Sequence, residues 1–425
     1  MKKLTIAHPG WCIFLLAISV RMTAIAIIIA IHRYPLPLEY DVIASNWLDG
    51  KGFTYMHLGT VYQSFPNPLY PFLCIVLYKL FGHHPLPVLI MQSIFSGLLS
   101  VCIYRIGCFL DKQTGILAAL LTISHPGIFY YDLSYLHALS MDSFLFVLII
   151  LLFMQLRSIP VLLNQVKTGA ALGLQMYERG TIFFFLIPAL IWLYFFSAYR
   201  YSIKRWLKKC AVIVLVMGLM TAPWVIRNIT VHKEFVGICT TLSEVLWRGN
   251  NPLATGTAYC ADGKPMFFGA PKEFQDKIMG LDEIGQMHAF QQAALEFIKE
   301  SPARFVLLTL KKMRLFWWFS PLTGIEYHFS HMGLVKLLYV ILLVLALGGI
   351  CLIIRNGLRI DLVLLIFILF SAVTLGQSFF YVQQKHRWAL EPLLLIFAAH
   401  AMTNLYNRLL AGVIIVRSKI IKGSR

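Results

Sequence analysis

Residues of the types that move protons and hold phosphates recur at the ends of apolar runs in this chain. Glu39, Tyr40 and Asp41 follow the first such run, ahead of an amphipathic stretch, VIASNWL, and the turn DGKGF. A carboxylate partly desolvated at the mouth of a helix bundle can take a proton from a nucleophile; a solvated loop acid or a helix N-cap is the plainer alternative. Asp142, in YYDLSYLHALSMDSFLFVLIILL, opens another apolar run, where an acid is costly unless paired or functional, although an early Asp also suits the helix dipole. Arg179, beside Glu178 in QMYERGTIFFF, carries a guanidinium able to hold a lipid-linked phosphate bidentately or simply to snorkel. Arg227 in PWVIRN and the turn LWRGNNP, with Arg248, Asn250 and Asn251, add further donors. Lys385, His386, Arg387 and Glu391 stand together in YVQQKHRWALEPLLLIFAAHA. The pattern is a basic rim around an acidic pair, which suits an anionic lipid head group held next to a general base.

The elements that must position these groups follow from composition. Of 425 residues, 59% are hydrophobic and 13% charged, and the mean hydropathy is +0.73, far outside the soluble range. A hydrocarbon core about 30 Å thick takes roughly 20 apolar residues per helix. Ten runs fit: 11–31, 86–104, 113–131, 137–156, 160–178, 180–198, 210–226, 334–354, 360–380 and 388–406. Continuous runs such as LYVILLVLALGGICLII exclude a barrel of alternating strands. The first run lacks an A-x-A-like site after it and is expected to stay as a helix. The fifth, with Asn164, Gln165, Lys167 and Gln175, must face other helices or a wet cavity. The expected fold is an all-α polytopic membrane protein.

Charge sets the expected orientation. With the amino terminus inside, the cytoplasmic loops and tails hold 18 Lys or Arg (from Lys2 and Lys3 through Arg105, Lys112, Arg157, Arg355 and Arg359 to Arg425) against two acids, Asp111 and Asp361. The positive-inside rule is then met at every turn. The pI of about 9.6 is a topology signature that needs no nucleic acid. Two long hydrophilic segments, 32–85 and 227–333, fall on the acid-rich outer side. The chain therefore divides into an N-terminal bundle, 1–226, with its first outer loop at 32–85. An outer soluble domain, 227–333, follows, then C-terminal helices with a basic tail, 334–425. The stretch from EFQDKIMG to FWWF is expected to form one or two helices, ending in an interfacial or packed connecting helix around Lys311, Lys312 and Arg314. The eight cysteines show no metal-ligand spacing; Cys239 and Cys260, both on the outer side, are permitted a disulfide if that side is oxidising.

Several motifs in order resemble a known family. EYDVIASNWLDGKGF is similar to a first-loop pattern of Tyr, three residues, Ala, then Asn, Leu and Gly-x-Gly-aromatic. NPLYPFLCIVLYKLFG resembles a Pro-Leu-Tyr-Pro helix entry, PWVIRN with LWRGNNP a pair found in bacterial members, and HRWALEPLLLIFAA a closing Arg-x-x-x-Glu-Pro helix. The family is that of the GT-C membrane glycosyltransferases of the dolichyl-phosphate-mannose protein mannosyltransferase and aminoarabinose transferase type, or glycosyltransferase family 39-like. The resemblance implies a GT-C bundle of about ten transmembrane helices with a small outer domain. It also implies transfer of a sugar from a polyprenyl-phosphate-linked donor to a lipid, glycan or protein acceptor among membrane lipids at the outer face, here the periplasmic face of a bacterial inner membrane.

On this resemblance Asp41 or Glu39 would be the base and Asp142 the supporting acid. Arg179, Arg227 and Arg387 would hold the donor phosphate, and Tyr40, Arg248, Asn250 and Asn251 would line the substrate site. Some members bind a divalent metal and others do without, so a divalent metal cofactor stays open. Two departures stand out. The family's acid four residues before the loop Tyr is Leu36 here, and the basic residue before Pro-Leu-Tyr-Pro is replaced in FPNPLYP by Pro66 and Asn67. Two other functions are alternatives: a lipid or solute transporter with the outer acids as coupling sites, which calls for midplane charges that the sequence mostly lacks, Arg21 being the main one, and a non-catalytic cell-envelope scaffold, which the displaced acid leaves open.

Overall fold

The structure is a computed structural model describing residues 8–197, 202–320, 322 and 329–423, with side chains of 329–332 and 412–423 left out. Of the expected cytoplasmic set, Lys2, Lys3, Arg200 and Arg425 lie outside this description, as do the side chains of Arg417, Lys419 and Lys422. In chain order the elements are α1 (Pro9–Ala30), α2 (Glu39–Leu48), a hairpin of β1 (Tyr55–His57) and β2 (Thr60–Tyr62), α3 (Leu69–Phe81), α4 (Pro85–Gly107), α5 (Lys112–Ile123), α6 (Pro126–Ser134), α7 (Leu139–Ser158), α8 (Leu162–Glu178), α9 (Phe183–Phe196) and α10 (Ile203–His232). They continue with α11 (Leu242–Gly249), α12 (Met266–Gly269), α13 (Lys272–Met279), α14 (Glu283–Glu300), α15 (Pro302–Trp317), α16 (Phe329–Arg355), α17 (Ile360–Ser378), α18 (Gln384–Trp388) and α19 (Glu391–Gly423).

All ten apolar runs are helical, and six of the described helices are long and apolar enough to cross a membrane, seven if the bent pair α5–α6 counts as one. The expected third run is broken because Pro126 cannot continue α5 and starts α6 instead, with the His125 ring accepting from Ile128 N at 3.2 Å. That break bends the pair by 41°. α8 is amphipathic, and α9 has only 14 residues and contains Pro188. The polar face of α8 is covered by protein, as its composition requires: Gln165, Thr168 and Gln175 are buried. Gly169 and Gly173, one turn apart, let α8 approach α10 so closely that an added Cβ would strike Ile213 O, Val216 and Met220; small residues at this spacing are the usual means of close helix contact in lipid.

Arg21, the mid-span charge, is buried against Asp132, with Nε 3.0 Å from Oδ2, and Ser96 donates to the same oxygen at 2.5 Å. A paired and hydrogen-bonded ion in the bundle interior is a structural device. At one end of the bundle Arg157 and Arg359 both meet Asp361 at 3.2 Å, so the loops given the same orientation by their charge do lie together.

The hydrophilic segment expected on the outer side opens with the end of α10, which runs on to His232. It is built on stacked aromatics, with Trp247 5.1 Å from Phe274 and 5.2 Å from Phe290 between ring centroids. The stretch expected to give one or two helices gives three, α13, α14 and α15, because Gly280 and the Ser301–Pro302 step interrupt it. Glu283 on α14 takes the amides of Gln63 (2.6 Å) and Ser64 (3.0 Å), and Tyr62 donates to Gln286 at 2.6 Å. These bonds hold the first-loop hairpin on the outer segment, so the two hydrophilic segments act as one support. Cys239 and Cys260 are both free thiols; the buried Cys260 sulfur lies against Met266 Sδ at 3.7 Å.

Candidate active site

The first loop is fixed before α2 starts. Leu36 N donates to Ser134 O at 2.9 Å and Leu36 O accepts from Leu136 N at 3.2 Å, a parallel bridge that sets the first turn of α2 beside the start of α7. Into the same space come the C-terminal end of α8 and the five-residue α18. On α7, Asp142 is buried, meets Arg179 Nη2 at 2.5 Å and accepts from Gln175 Nε2 at 2.6 Å. It does not cap its helix: Ala138 holds the cap position. Lys385 Nζ on α18 lies 3.3 Å from His137 Nε2.

Burial holds the Lys385 ammonium below its ordinary range, with Glu39 pulling it back up and Arg179 pushing it further down. His386 and His137 are held well below the imidazole range, first by burial and then by the surrounding cations Arg179 and Lys385, so both rings are neutral near pH 7. Tyr40, edge-on to Tyr70 at 5.0 Å and to His137 at 6.0 Å, is held well above the phenol range by burial and then by Glu39.

The two first-loop acids part company. Asp41 turns toward α3, accepting from Tyr78 Oη at 2.5 Å and meeting His83 Nε2 at 3.0 Å. Glu39, half-buried, has no hydrogen-bond or ion-pair partner among the described residues. Its charge is felt by Tyr40, Tyr55, Tyr381 and Lys385, the residues around the mouth.

The three candidate phosphate ligands are not together. Arg179 faces the mouth. Arg227 lies over Trp224, 4.7 Å from the ring centroid, and donates to Gln63 O (2.8 Å), Ser64 Oγ (2.9 Å) and Asn228 Oδ1 (3.0 Å); it ties α10 to the first loop. Arg387, although two residues from Lys385, points away into the helices: its Nε is 2.5 Å from Glu391 Oε1, and its guanidinium lies 3.9 Å from the Tyr339 ring centroid.

Of the candidate substrate residues, Arg248 lies near the mouth, 6.0 Å from the Tyr381 ring, and pairs with Glu244. Asn250 is buried between Leu246 O (2.8 Å) and Phe379 O (2.7 Å), and Asn251 caps the turn through Leu253 N (2.7 Å). Asn250 thus holds α11 to the end of α17, and Asn251 closes the turn that follows α11.

Sequence reasoning passed over His57, Glu244, His137, Gln175, Tyr55 and Tyr381. Burial would raise the Glu244 carboxyl, but Arg248 and His57, the latter at 2.9 Å, hold it below the usual range. His57 and Glu244 are 187 residues apart, and no spacing rule connects them. Gln175 alone carried a signal, as one of the polar residues in an otherwise apolar run. Asn67, standing where the family has a basic residue, donates to Glu178 O at 2.6 Å and joins the start of α3 to the end of α8.

Lys312, on the helix expected to be either interfacial or a packed connector, is fully buried and donates to Asn250 Oδ1 at 2.9 Å, as a packed connector requires. Burial brings its ammonium down to about 7 from an ordinary 10.5. Between those values the unfolded chain holds a proton that the folded chain does not, so stability rises with pH across that window. The thermal midpoint of the detergent-solubilised chain should therefore climb from pH 7 toward pH 10. Lys312→Met should flatten that slope and stabilise the chain at pH 7 by a few kcal/mol, on the order expected for removing a buried ammonium.

Among the described residues no group of three or more His, Cys, Asp or Glu is placed to hold a metal ion. The mouth offers Glu39, Glu178, His137, His386 and an Asp142 already committed to Arg179 and Gln175. Positive charge there is supplied by Arg179 and Lys385.

A bundle of membrane helices with a hairpin-bearing first loop and an outer helical support, closed around one charged mouth, defines a class. The chain has the fold of the GT-C membrane glycosyltransferases. Residues 65–226 match the family of dolichyl-phosphate-mannose-protein mannosyltransferases. ArnT from Cupriavidus metallidurans, in a crystal structure bound to undecaprenyl phosphate, superposes with a TM-score of 0.55 at 15% identity, over 97% of this chain and 64% of ArnT. The oligosaccharyltransferase of Archaeoglobus fulgidus in its apo form gives a TM-score of 0.57 at 12% identity, over 98% of this chain and 53% of that one. This chain thus spans just over half to just under two thirds of the length of those enzymes. No curated protein matches the chain in sequence.

Proposed function

We propose that this chain is a glycosyltransferase that takes a sugar from a polyprenyl-phosphate-linked donor. It passes the sugar to a lipid, glycan or protein acceptor at the outer, periplasmic face of a bacterial inner membrane. The observation that carries the reading is Glu39, a half-buried carboxylate with no hydrogen-bond or ion-pair partner among the described residues, whose charge acts on Lys385 at a mouth that also holds the Arg179–Asp142 pair. The match to the mannosyltransferase family and the undecaprenyl phosphate in the similar ArnT support the substrate class.

In the proposed inverting displacement, Glu39 takes the proton of an acceptor hydroxyl as its oxygen attacks the anomeric carbon from the face opposite the phosphate. The bond from that carbon to the phosphate oxygen breaks, and its electron pair leaves with polyprenyl phosphate. The charge gathering on that oxygen is met by Lys385 and by Arg179, the latter held in place before the reaction by Asp142. Asp142 is a positioning residue: it fixes the guanidinium without touching the reacting atoms.

Purified chain in detergent, incubated with radiolabelled polyprenyl-phosphate sugars and a mixed membrane extract as acceptor, should release polyprenyl phosphate and label the extract. Movement of intact donor across proteoliposomes with no release would overturn the reading in favour of transport.

A further inference from the structure

A cavity of about 330 Å³ lies between the α5–α6 break, α16 and the start of α19. Its walls are apolar, with Leu121, Leu338, Leu342 and Leu395 among them, and it also reaches Arg387 and Tyr339. Beside it, Leu338 and Ile341 of α16 are exposed on the outside of the bundle, on a helix apolar enough to cross a membrane. The groove is thus set in the membrane-facing surface.

Arg387 is 1% exposed, and its Nη1 has no hydrogen-bond partner among the described residues; the same holds for the Tyr339 hydroxyl. The rest of the polar group is satisfied: Nε of Arg387 meets Glu391, and Glu391 meets His125 Nε2 at 2.8 Å. The His125 Nδ1 accepts from Ile128 N, so Nε2 is the nitrogen that donates to Glu391. Arg387 and Glu391 then cancel in charge, and what remains is two unsatisfied donors at an apolar groove. Unsatisfied donors are expensive where water is excluded, and an apolar groove does not hold the water that would meet them.

We propose that this groove binds a phospholipid of the surrounding bilayer, its acyl chain against α16 and its phosphodiester oxygens accepting from Arg387 Nη1 and the Tyr339 hydroxyl. A guanidinium and a hydroxyl side by side suit phosphodiester oxygens. From Tyr339 the wall of α16 runs on to Leu345, about 9 Å at 1.5 Å per residue, enough for the first part of an acyl chain. The polyprenyl donor is the poorer occupant: the cation on which the Glu39 charge acts is Lys385, with Arg179 near it, and neither is among the groups paired with Arg387. α18 separates the two, presenting Lys385 to one side and Arg387 to the other, so a seated lipid also steadies the helix that carries Lys385.

Full-length chain, stripped of lipid in detergent and titrated with phosphatidylglycerol, should retain one lipid per chain by native mass spectrometry. Leu342→Trp, which fills the groove, should abolish retention. Tyr339→Phe, which removes one hydroxyl and nothing else, should weaken it about fivefold, the share of one hydrogen bond. Retention unchanged in both variants overturns the proposal, as does displacement of phosphatidylglycerol by an equal concentration of undecaprenyl phosphate. No sugar donor is present in this measurement, so its outcome is independent of the transfer reaction.

Discussion

Glu39→Gln should reduce sugar transfer by about three orders of magnitude, the range for losing a general base at a preorganised site, with a thermal midpoint close to that of the unaltered chain. The glutamine keeps the volume and polarity of the side chain, and no partner is lost because Glu39 has none among the described residues. Asp41→Asn is the matched control. It weakens the bonds to Tyr78 and His83, a stability cost of about 1 kcal/mol, and should leave most of the transfer rate. Release of polyprenyl phosphate and the thermal midpoint, measured on both variants, separate the roles. Equal loss of transfer in the two would show that the carboxylate reading of the mouth is wrong, and full activity of Glu39→Gln would remove the base altogether.

The contrast between these adjacent acids also shows where sequence stops. Apolar runs long enough to span, and the order of helices and hydrophilic segments, follow from hydropathy because each run must satisfy its own backbone in lipid. The choice between Glu39 and Asp41 does not, because it depends on α3 bringing Tyr78 and His83 to Asp41 alone. Arg387 is a sharper case. It sits two residues from Lys385, and in a strand or an exposed loop the two would share a surface. In the single turn of α18, side chains two apart face different ways, and one goes to the mouth while the other goes to Glu391. Asn250 and Asn251 read as binding residues because turn amides are good donors, but their donors are taken by backbone carbonyls at Leu246, Phe379 and Trp247. Lys312 shows the same limit: its helix's spacing fits an interfacial and a packed position alike, and here the outer segment folds over this lysine. Long-range pairs such as His57 with Glu244 and Arg21 with Asp132 leave no trace in local spacing.

Arg179 carries two duties that a single substitution confounds, and the second large effect comes from separating them. Arg179→Met leaves Asp142 buried with Gln175 alone, which should cost about 3–5 kcal/mol of stability. It should also lower transfer by about 10²–10³-fold through loss of the cation that meets the leaving phosphate. Adding Asp142→Leu to the same chain removes the stranded charge. Stability should then return, since an apolar pair of similar volume replaces a buried ion pair at little net cost, whereas transfer should stay low because no cation has been restored. Arg179→Lys, which keeps the charge but loses the fork that reaches both Asp142 and a phosphate oxygen, should fall between the wild type and Arg179→Met in transfer. The measurements are the thermal midpoint and single-turnover release of polyprenyl phosphate for all four chains. If transfer recovers together with stability in the double variant, Arg179 serves only to neutralise Asp142, and the leaving phosphate must be met by Lys385 alone.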